Sequence, residues 1–396
     1  MKILIISSGF YPVTNNLGGA IENLIETYLI ANESKYQNSI TLYSIKKGKN
    51  SLERKDLKYT EIRIIDKSKI KFKLKRIYYT FLEKVLNKYN GNAYINSVLN
   101  DLKIRNELEK YDYVIVENIG RFVPIIKRNL KSKVILHLHN DYLNINTENK
   151  EEIVESADSI WCVSEFIANQ VRKISPKEEK VKVLYNGINL DDFKKDISLI
   201  EKEKLKEKLN ISENDFVYIY VGRIMPEKGV KELILAYKKV KEIHDNVKLL
   251  IVGGTVEINK NKNKYVKELY KISKEDERSI IFTGKVEHSD LIEYYSIANA
   301  QIVPSIWNEA FGLIILEGMS MGIPLIVTKS GGIPEILGKN AIYVERENLV
   351  EELSREMLKI IDLKIDKDQL CNEYEKILKK FTKEEYSDKF NEFLES

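Results

Sequence analysis

Two glutamates accompany an apolar stretch in NEAFGLIILEGMSMGIPLI, residues 308–326, and a carboxylate beside a buried segment needs a polar partner. Glu309 precedes the stretch and Glu317 lies within it. If a helix begins near Phe311, its first amides form an anion site, and Glu317 lies roughly 9 Å further along at about 1.5 Å of rise per residue. This layout suits a sugar nucleotide, with its diphosphate at the helix end. The alternative is a pair of unrelated surface or capping acids.

Two cations follow the first apolar run of the second half of the chain, in the sequence GRIMPEKGV. Arg223 and Lys228 are five residues apart in what we predict to be a loop after a strand. Arginine can grip a diphosphate with its fork of N–H groups, and lysine with its point charge. The alternative is a solvated surface pair.

A glycine pair follows the first apolar run, in SSGFYPVTNNLGGAIE. Gly18 and Gly19 directly precede a predicted helix. Adjacent glycines let backbone N–H groups approach a ligand closely, and a helix N-terminus favours an anion. Taken alone, the pair is equally compatible with a plain turn.

Short apolar runs that alternate with amphipathic stretches must position these residues. Such runs are typical of buried parallel strands, and the loops after parallel strands are where ligands bind. The alternation predicts an α/β protein with two doubly wound, Rossmann-like parallel sheets that face a cleft. The runs begin at residues 2, 39, 111, 133, 159 and 181, and then at 216, 247, 279, 300 and 323.

The pattern of runs also predicts the domain organisation. We expect one Rossmann-like domain over residues 1–187, a second over residues 188–370 and a C-terminal helix over residues 371–396. The charged stretch at 189–215 is interpreted as the connection between the two domains.

Composition excludes several classes of protein. The 396 residues are 43% hydrophobic and 31% charged, which is typical of a globular protein, and the net charge of +4 gives no reason to expect a nucleic-acid binder. The first residues are interpreted as a strand and not as a signal peptide, and no stretch has the roughly 18 apolar residues needed to span a bilayer. We therefore expect a cytoplasmic protein.

A basic, aromatic segment stands apart at residues 66–89. It carries eight Lys or Arg against two acidic residues, with apolar and aromatic side chains at helical spacing. Basic residues beside an apolar stripe indicate a helix on the surface of an anionic membrane, at the inner face of the membrane. The alternative is an ordinary amphipathic helix whose stripe packs on the first sheet.

The stretch from Glu309 to Glu317 resembles the E-x7-E motif of retaining glycosyltransferases of family 4, which have the GT-B fold. Other short motifs resemble parts of that family and occur in its order over most of the chain. They are GGAIE for its first glycine loop, LHLHND for the strand end with a sugar-facing histidine, LYNGINLDDF for the start of its second domain, GRIMPEKG for its phosphate loop and GGIPE for its later glycine turn.

The resemblance implies that residues 1–187 form an acceptor-side domain and residues 188–370 a nucleotide-sugar-binding domain, with the helix at 371–396 packing back on the first domain.

The resemblance also implies roles for individual residues. Arg223 and Lys228 would bind the donor diphosphate. Glu317 would bind the ribose hydroxyls. Glu309, like His139, would be catalytic and would contact the transferred sugar, with a double displacement through the Glu309 carboxylate as the alternative. Further donor contacts are implied for the amides of Phe311, Gly312 and Leu313 and for Gly18, Gly19, Gly253, Gly254 and Val286.

The resemblance also implies a sugar contact by a histidine. His137 and His139 lie on one face of the predicted strand, and His139 is nearer the loop, so it is the preferred candidate. His137 is better interpreted as a core residue. Asn140 or Asp141 could instead serve the acceptor.

The implied reaction retains the anomeric configuration and needs no metal, since cations and a helix N-terminus stabilise the leaving diphosphate. A UDP-sugar is the donor expected from the family, and the acceptor is left open among glycan, lipid-linked and protein hydroxyls. Two alternatives remain: a sugar-nucleotide epimerase, which needs no acceptor, and a non-catalytic subunit that only binds a sugar nucleotide.

Overall fold

The computed structural model describes residues 1–13, 19–46, 56–86, 91–175, 178–193, 197–254, 264–363 and 365–396. The chain divides into two compact units. The first unit comprises Met1–Gly187 together with Lys383–Ser396, and the second unit comprises Ile188–Thr382.

Each unit contains one parallel β-sheet within the described part of the chain. Seven strands form the first sheet in the order β3-β2-β1-β4-β5-β6-β7, and six form the second in the order β10-β9-β8-β11-β12-β13. The strands of the first unit are β1 Lys2–Ile6, β2 Ser39–Ile45, β3 Thr60–Ile65, β4 Tyr113–Glu117, β5 Lys133–Leu138, β6 Ser159–Cys162 and β7 Val181–Val183. Those of the second are β8 Phe216–Val221, β9 Val247–Val252, β10 Ile280–Gly284, β11 Ala300–Val303, β12 Leu325–Thr328 and β13 Ile342–Val344.

Both sheets are doubly wound, because the strand order runs outward in both directions from a central strand, β1 or β8. Except between β2 and β3, at least one described helix lies between consecutive strands of each sheet. The helices are α1 Ala20–Ala31, α2 Ile70–Leu86, α3 Ala93–Ile104, α4 Val123–Asn129, α5 Lys150–Ser156, α6 Glu165–Arg172, α7 Leu199–Lys208, α8 Val230–Lys241, α9 Lys264–Ile272, α10 Leu291–Ser296, α11 Leu313–Ser320, α12 Ile333–Leu337, α13 Leu349–Asp362, α14 Lys367–Leu378 and α15 Lys383–Glu395.

The central strands are apolar because helices cover both faces of each sheet. Every residue of β1 except Lys2 is buried, and β11 is buried throughout. A strand buried on both faces has a continuous apolar run and not an alternating pattern. The polar side chains that can do chemistry therefore lie at the strand ends and in the loops that follow.

The last helix belongs to the first unit. In α15, Phe390 stacks on Tyr28 of α1 with ring centroids 3.8 Å apart and meets Trp161 of β6 edge-on at 5.0 Å. Residues 371–382, expected to belong to this returning segment, lie in the second unit, where α14 packs against α11. The return begins only at Lys383 because α14 buries Tyr374 and Leu378 in the second unit.

Three expectations about individual elements need correction. Strands β3 and β13 were not predicted, and they lie at edges of the two sheets. The charged stretch at 189–215 is not only a connection, because it contains α7, which begins with a capping box formed by Ser198 and Glu201.

Helix α2 leaves its apolar stripe on the surface. Ile70, Leu74, Ile77, Phe81 and Val85 are each more than 60% exposed. The stripe is thus not packed on the first sheet, while residues 87–89 of the predicted segment lie outside the described part of the chain. Among the described helices, none is long and apolar enough to cross a bilayer.

Candidate functional site

The second unit brings together a lysine and a glutamate that are 81 residues apart. Lys228 ends a short 3-10 turn after β8, and its Nζ donates to both carboxylate oxygens of Glu309, at 2.6 and 2.9 Å. Ser305, after β11, also donates its hydroxyl to Glu309. The Lys228 and Glu309 side chains are 23% and 13% exposed, so the pair is partly accessible.

Two glycines make this close approach of loops possible. Gly229 has φ +68°, and a Cβ there would lie 1.9 Å from the carbonyl oxygen of Pro304. Gly331 has φ +54°, and a Cβ there would lie 2.0 Å from the carbonyl oxygen of Glu309. That oxygen accepts a hydrogen bond from the amide of Gly332 at 2.8 Å. The GGIPE turn therefore positions the backbone of Glu309.

Helix α11 starts two residues later than expected. Gly312 is its N-cap with φ +103°, so regular helix begins at Leu313 and not near Phe311. Phe311 is buried and packs against Phe381 with ring centroids 5.6 Å apart. The amides of Phe311 and Gly312 thus precede the helix, while Leu313 lies in its first turn, where N–H groups point out of the helix end.

Glu317, in the middle of α11, is buried at 6% exposure and has partners within the same unit. Tyr295 of α10 donates its hydroxyl to Oε2 at 3.0 Å, and the Nε2 atom of His288 lies 3.3 Å from Oε1. Because Glu317 stabilises the imidazolium, the pKa of His288 is raised, although burial acts in the opposite direction. Sequence reasoning missed both partners, whose spacing to Glu317 follows no local pattern.

The other predicted donor contacts of the second unit lie in neighbouring loops. Arg223 is exposed, and its carbonyl oxygen accepts a hydrogen bond from Tyr220 at 2.8 Å. Gly253 has φ +149°, and a Cβ there would lie 1.8 Å from the carbonyl oxygen of Gly222. Gly254 accepts from the amide of Ile224 at 3.0 Å. The loops after β8 and β9 are thereby held against each other.

Val286 and the glycine pair complete the predicted set. Val286 is half-buried just after β10. Gly18 lies outside the described residues, whereas Gly19 is the N-cap of α1 and donates its amide to Glu22 at 3.0 Å. Glu22 is 2% exposed and accepts a second hydrogen bond from Ser8 at 2.8 Å. Burial raises the pKa of Glu22, a residue that was not selected from the sequence.

A second cluster lies in the first unit, at the adjacent ends of β4 and β5. Glu117 ends β4, and its Oε2 atom lies 2.7 Å from Nε2 of His139 and 3.1 Å from Nδ1 of His137. All three side chains are at most 5% exposed. Asn118, with φ +65°, accepts from the backbone amide of His139 at 3.0 Å. Asn140 accepts from the amide of Tyr142 at 3.1 Å and so caps the following turn.

Carboxylate and imidazole are also metal-ligand types, and the ligand atoms of Glu117, His137 and His139 lie within 4.8 Å of one another. The 2.7 Å separation between Oε2 and Nε2 is that of a direct hydrogen bond. We interpret the cluster as hydrogen-bonded on this geometry. Burial lowers the pKa of His139, while the two histidines outweigh burial and lower the pKa of Glu117.

Comparisons with known proteins place this geometry in context. A family model for "Glycosyl transferases group 1" matches residues 201–381, and one for "Glycosyltransferase Family 4" matches residues 74–192. A lipopolysaccharide 1,2-N-acetylglucosaminetransferase of Salmonella typhimurium is 29% identical over 60% of each chain, so the match spans about three fifths of that relative. Spore coat protein SA of Bacillus subtilis is 25% identical over 87% of this chain and 85% of its own.

Solved structures show the same fold at low sequence identity. Anabaena HepE in complex with UDP and glucose is 18% identical, with a TM-score of 0.73 over 100% of this chain and 99% of its own. Sucrose-phosphate synthase of Thermosynechococcus elongatus is 19% identical, with a TM-score of 0.71 over 100% of this chain and 98% of its own. With its two Rossmann-like sheets, the chain has the GT-B fold.

Proposed function

Because a glycosyltransferase family model matches part of each half of this GT-B chain, we propose that it is a retaining glycosyltransferase. It moves a sugar from a nucleotide-sugar to a hydroxyl acceptor. We propose cell-surface glycan synthesis as its setting, since similar proteins include the lipopolysaccharide enzyme and a capsular polysaccharide glycosyltransferase of Staphylococcus aureus. One observation carries the proposal: Lys228 binds Glu309 in the loop before α11, and Glu317 lies buried within that same helix, all in a single unit.

The donor diphosphate is assigned to Lys228, Arg223 and the N-terminus of α11. Lys228 already approaches an anionic oxygen pair, and Arg223 is exposed in the same loop, where a guanidinium can reach a phosphate. The positive end of the α11 dipole adds to the attraction. These groups supply the charge that the leaving group needs, so no metal is assigned. UDP is the proposed carrier because the similar HepE structures contain UDP.

The two glutamates are assigned to sugars. Glu317 would accept from the ribose hydroxyls of the donor, and Glu309 would contact the transferred sugar. The Glu317 carboxylate is held in place by Tyr295 of α10 and by His288, in the turn that precedes α10. In the first unit, His139 is assigned to a sugar hydroxyl. Gly253, Gly254 and Val286 line the remaining loops of the proposed nucleotide site.

Replacing Lys228 by alanine tests the diphosphate assignment. We expect transfer from a UDP-sugar to fall by about 100- to 1,000-fold, which is the usual effect of removing one group that stabilises a developing negative charge. Lys231→Ala is the matched control, since Lys231 lies three residues on but pairs with Glu268. Near-normal turnover of the Lys228 variant would remove the assignment.

The donor and the reaction type need separate assays. UDP, GDP and ADP sugars are screened by thermal shift, where a ligand at about 100 times its Kd adds about 2.7 kcal/mol of stability. The stabilising donor is then incubated with and without glycan acceptors. Conversion of the donor to another sugar nucleotide without acceptor would identify an epimerase, and stabilisation without any product would identify a binding subunit.

Helix α2 is proposed to hold the enzyme on an anionic membrane at its cytoplasmic face. Its exposed apolar stripe includes Leu74, Ile77 and Phe81, and lysines flank the stripe. Such a helix binds by burying apolar area in the interface and by attraction to anionic lipids. A membrane location would bring the enzyme to lipid-linked acceptors.

Charge reversal in α2 tests this membrane contact. Lys71→Glu, Lys73→Glu and Lys75→Glu together should reduce sedimentation with vesicles of anionic lipid at low salt, while turnover of a soluble acceptor is kept. The matched control reverses three lysines of α7, a helix without an aromatic stripe. Equal sedimentation of the α2 variant and the native protein would refute the contact.

A further inference from the structure

The cluster in the first unit contains a carboxylate that the proposed transfer reaction does not use. Parallel pairing of β4 with β5 places Glu117 opposite His137. His139 follows two residues later on the same side of the chain. The two strands therefore end side by side, and Glu117 reaches the His139 ring directly. Glu117 is 1% exposed, so its carboxylate is stabilised by hydrogen bonding to these neighbours and not by water.

The hydrogen bond between Glu117 and His139 decides which ring nitrogen carries the proton. An ionised carboxylate can only accept, so Nε2 of His139 must be the protonated atom. The neutral ring then leaves Nδ1 with a lone pair that can only accept. Among the described residues, Nδ1 of His139 is buried and has no hydrogen-bond partner.

We propose that Glu117 is a positioning residue that locks His139 in the Nε2–H tautomer, so that Nδ1 accepts a hydrogen bond from a hydroxyl of the sugar substrate. The proposal rests on the sugar-binding role assigned to His139 above. Without Glu117, the ring could place its proton on Nδ1, where it would meet a hydroxyl as a donor instead of an acceptor.

Other contacts hold the surroundings of the ring. The side chain of Asn118 accepts from the backbone N–H of His139 at 3.0 Å, and the backbone N–H of Asn118 donates to the carbonyl oxygen of His137 at 2.7 Å. The rings of His137 and His139 lie 4.1 Å apart at 52°. His137 in turn contacts Trp161 and Phe390 of α15 edge-on. Asn118 therefore holds the backbone that carries His139, and the ring of His137 packs against its imidazole.

Nitrogen NMR of labelled histidine measures the tautomer without substrate. The chain has only four histidines, so a His139→Gln variant assigns the signal. We expect the long-range proton–nitrogen pattern of an Nε2–H ring in the native protein. Glu117→Gln should change the pattern, because its amide can donate to Nε2, whereas Glu22→Gln removes a nearby buried carboxylate and should leave the pattern unchanged. An Nδ1–H ring in the native protein would overturn the proposal.

Kinetics connect the tautomer to the sugar contact. Glu117→Gln should lower kcat/KM by about 10- to 100-fold, the range known for residues that orient metal-binding histidines through the same kind of hydrogen bond. Glu117→Asp keeps the ionised acceptor and should restore both the Nε2–H pattern and part of the activity. Unchanged kinetics in Glu117→Gln with a changed tautomer would overturn the sugar contact and leave the transferase assignment standing.

A metal measurement separates this proposal from its chemical rival. Elemental analysis of the purified protein should find no stoichiometric transition metal that Glu117→Gln removes. Such a metal would mean that a cation and not a proton joins the three side chains, and it would overturn the tautomer proposal. Failure of the transferase proposal would show instead as an absence of transfer by the native protein, with the Nε2–H ring intact.

Discussion

Replacing Glu309 by glutamine is expected to tighten the binding of free UDP while it suppresses sugar transfer. Lys228 and Glu309 are assigned to different parts of the donor, yet their side chains also bind each other. A diphosphate must therefore compete with Glu309 for the ammonium group. It must also approach a carboxylate of its own sign.

The magnitude follows from the distances and the exposure. Two unit charges about 4 Å apart interact by about 4 kcal/mol at an effective dielectric constant of 20. The side chains of Lys228 and Glu309 are 23% and 13% exposed, and salt screens charges in this partly accessible site. We therefore expect the loss of the Glu309 charge to change the free energy of UDP binding by about 1 kcal/mol. We thus expect UDP to bind Glu309→Gln about five-fold more tightly, since about 1.4 kcal/mol corresponds to a factor of ten. Transfer should fall by about 100-fold if Glu309 contacts the reacting sugar.

Titration calorimetry with UDP measures the first effect, and steady-state transfer measures the second. Glu227→Gln is the matched control, because it removes an exposed acid next to Lys228 without touching the ion pair. The control should change UDP affinity by less than two-fold. Weaker binding of UDP to Glu309→Gln than to the native protein would refute the competition, and unchanged transfer would refute the sugar contact.

Three further predictions concern the scaffold. Gly331→Ala should lower transfer more than ten-fold, because its Cβ would lie 2.0 Å from the carbonyl oxygen of Glu309. Gly338→Ala is the control and should retain transfer, since Gly338 has a similar φ of +53° and nothing lies within 4 Å of its Cβ position. Equal activities of the two variants would contradict the positioning role of Gly331. Arg63 lowers the pKa of Glu107 from 4.5 to about 2 and so stabilises the fold above about pH 4.5. Urea unfolding should find Glu107→Gln about 2 kcal/mol less stable than the native protein at pH 7. This difference in unfolding free energy should narrow as the pH falls from 4.5 toward 2, and a difference independent of pH would refute the pairing of Arg63 with Glu107. Phe390→Ala should lower the free energy of unfolding by about 3–5 kcal/mol, because it leaves a cavity where a buried aromatic ring was. An unchanged thermal midpoint would contradict the docking of α15 on α1.

Most of the fold could be predicted because central parallel strands have unbroken apolar runs. The edge strands could not. In β3, Glu61 and Arg63 interrupt the apolar run. Arg63 can be buried because it pairs with Glu61 of the same strand and with Glu107, which is distant in the sequence. In β13, three residues are too few to distinguish a strand from a loop. The exposed stripe of α2 was likewise undecidable, because periodicity shows which face is apolar and not what covers it.

The candidate site was predicted as separate residues but not as pairs. Lys228 and Glu309 were each selected as ligand-binding groups, whereas their contact depends on two loops that meet only after folding. The start of α11 was missed by two residues because Gly312 adopts a left-handed conformation that no apolar pattern reveals. Glu117 was missed because the sequence around an acid at the end of an apolar run is the same whether the side chain faces water or a histidine.

The docking of α15 on α1 means that the first unit is not a continuous piece of the chain. The second unit is one continuous stretch, Ile188–Thr382, and it separates the two segments that form the first unit. Tyr28 and Trp161 of the earlier segment pack against Phe390 of the later one. A fragment cut after Gly187 would therefore expose aromatic side chains that the whole chain buries.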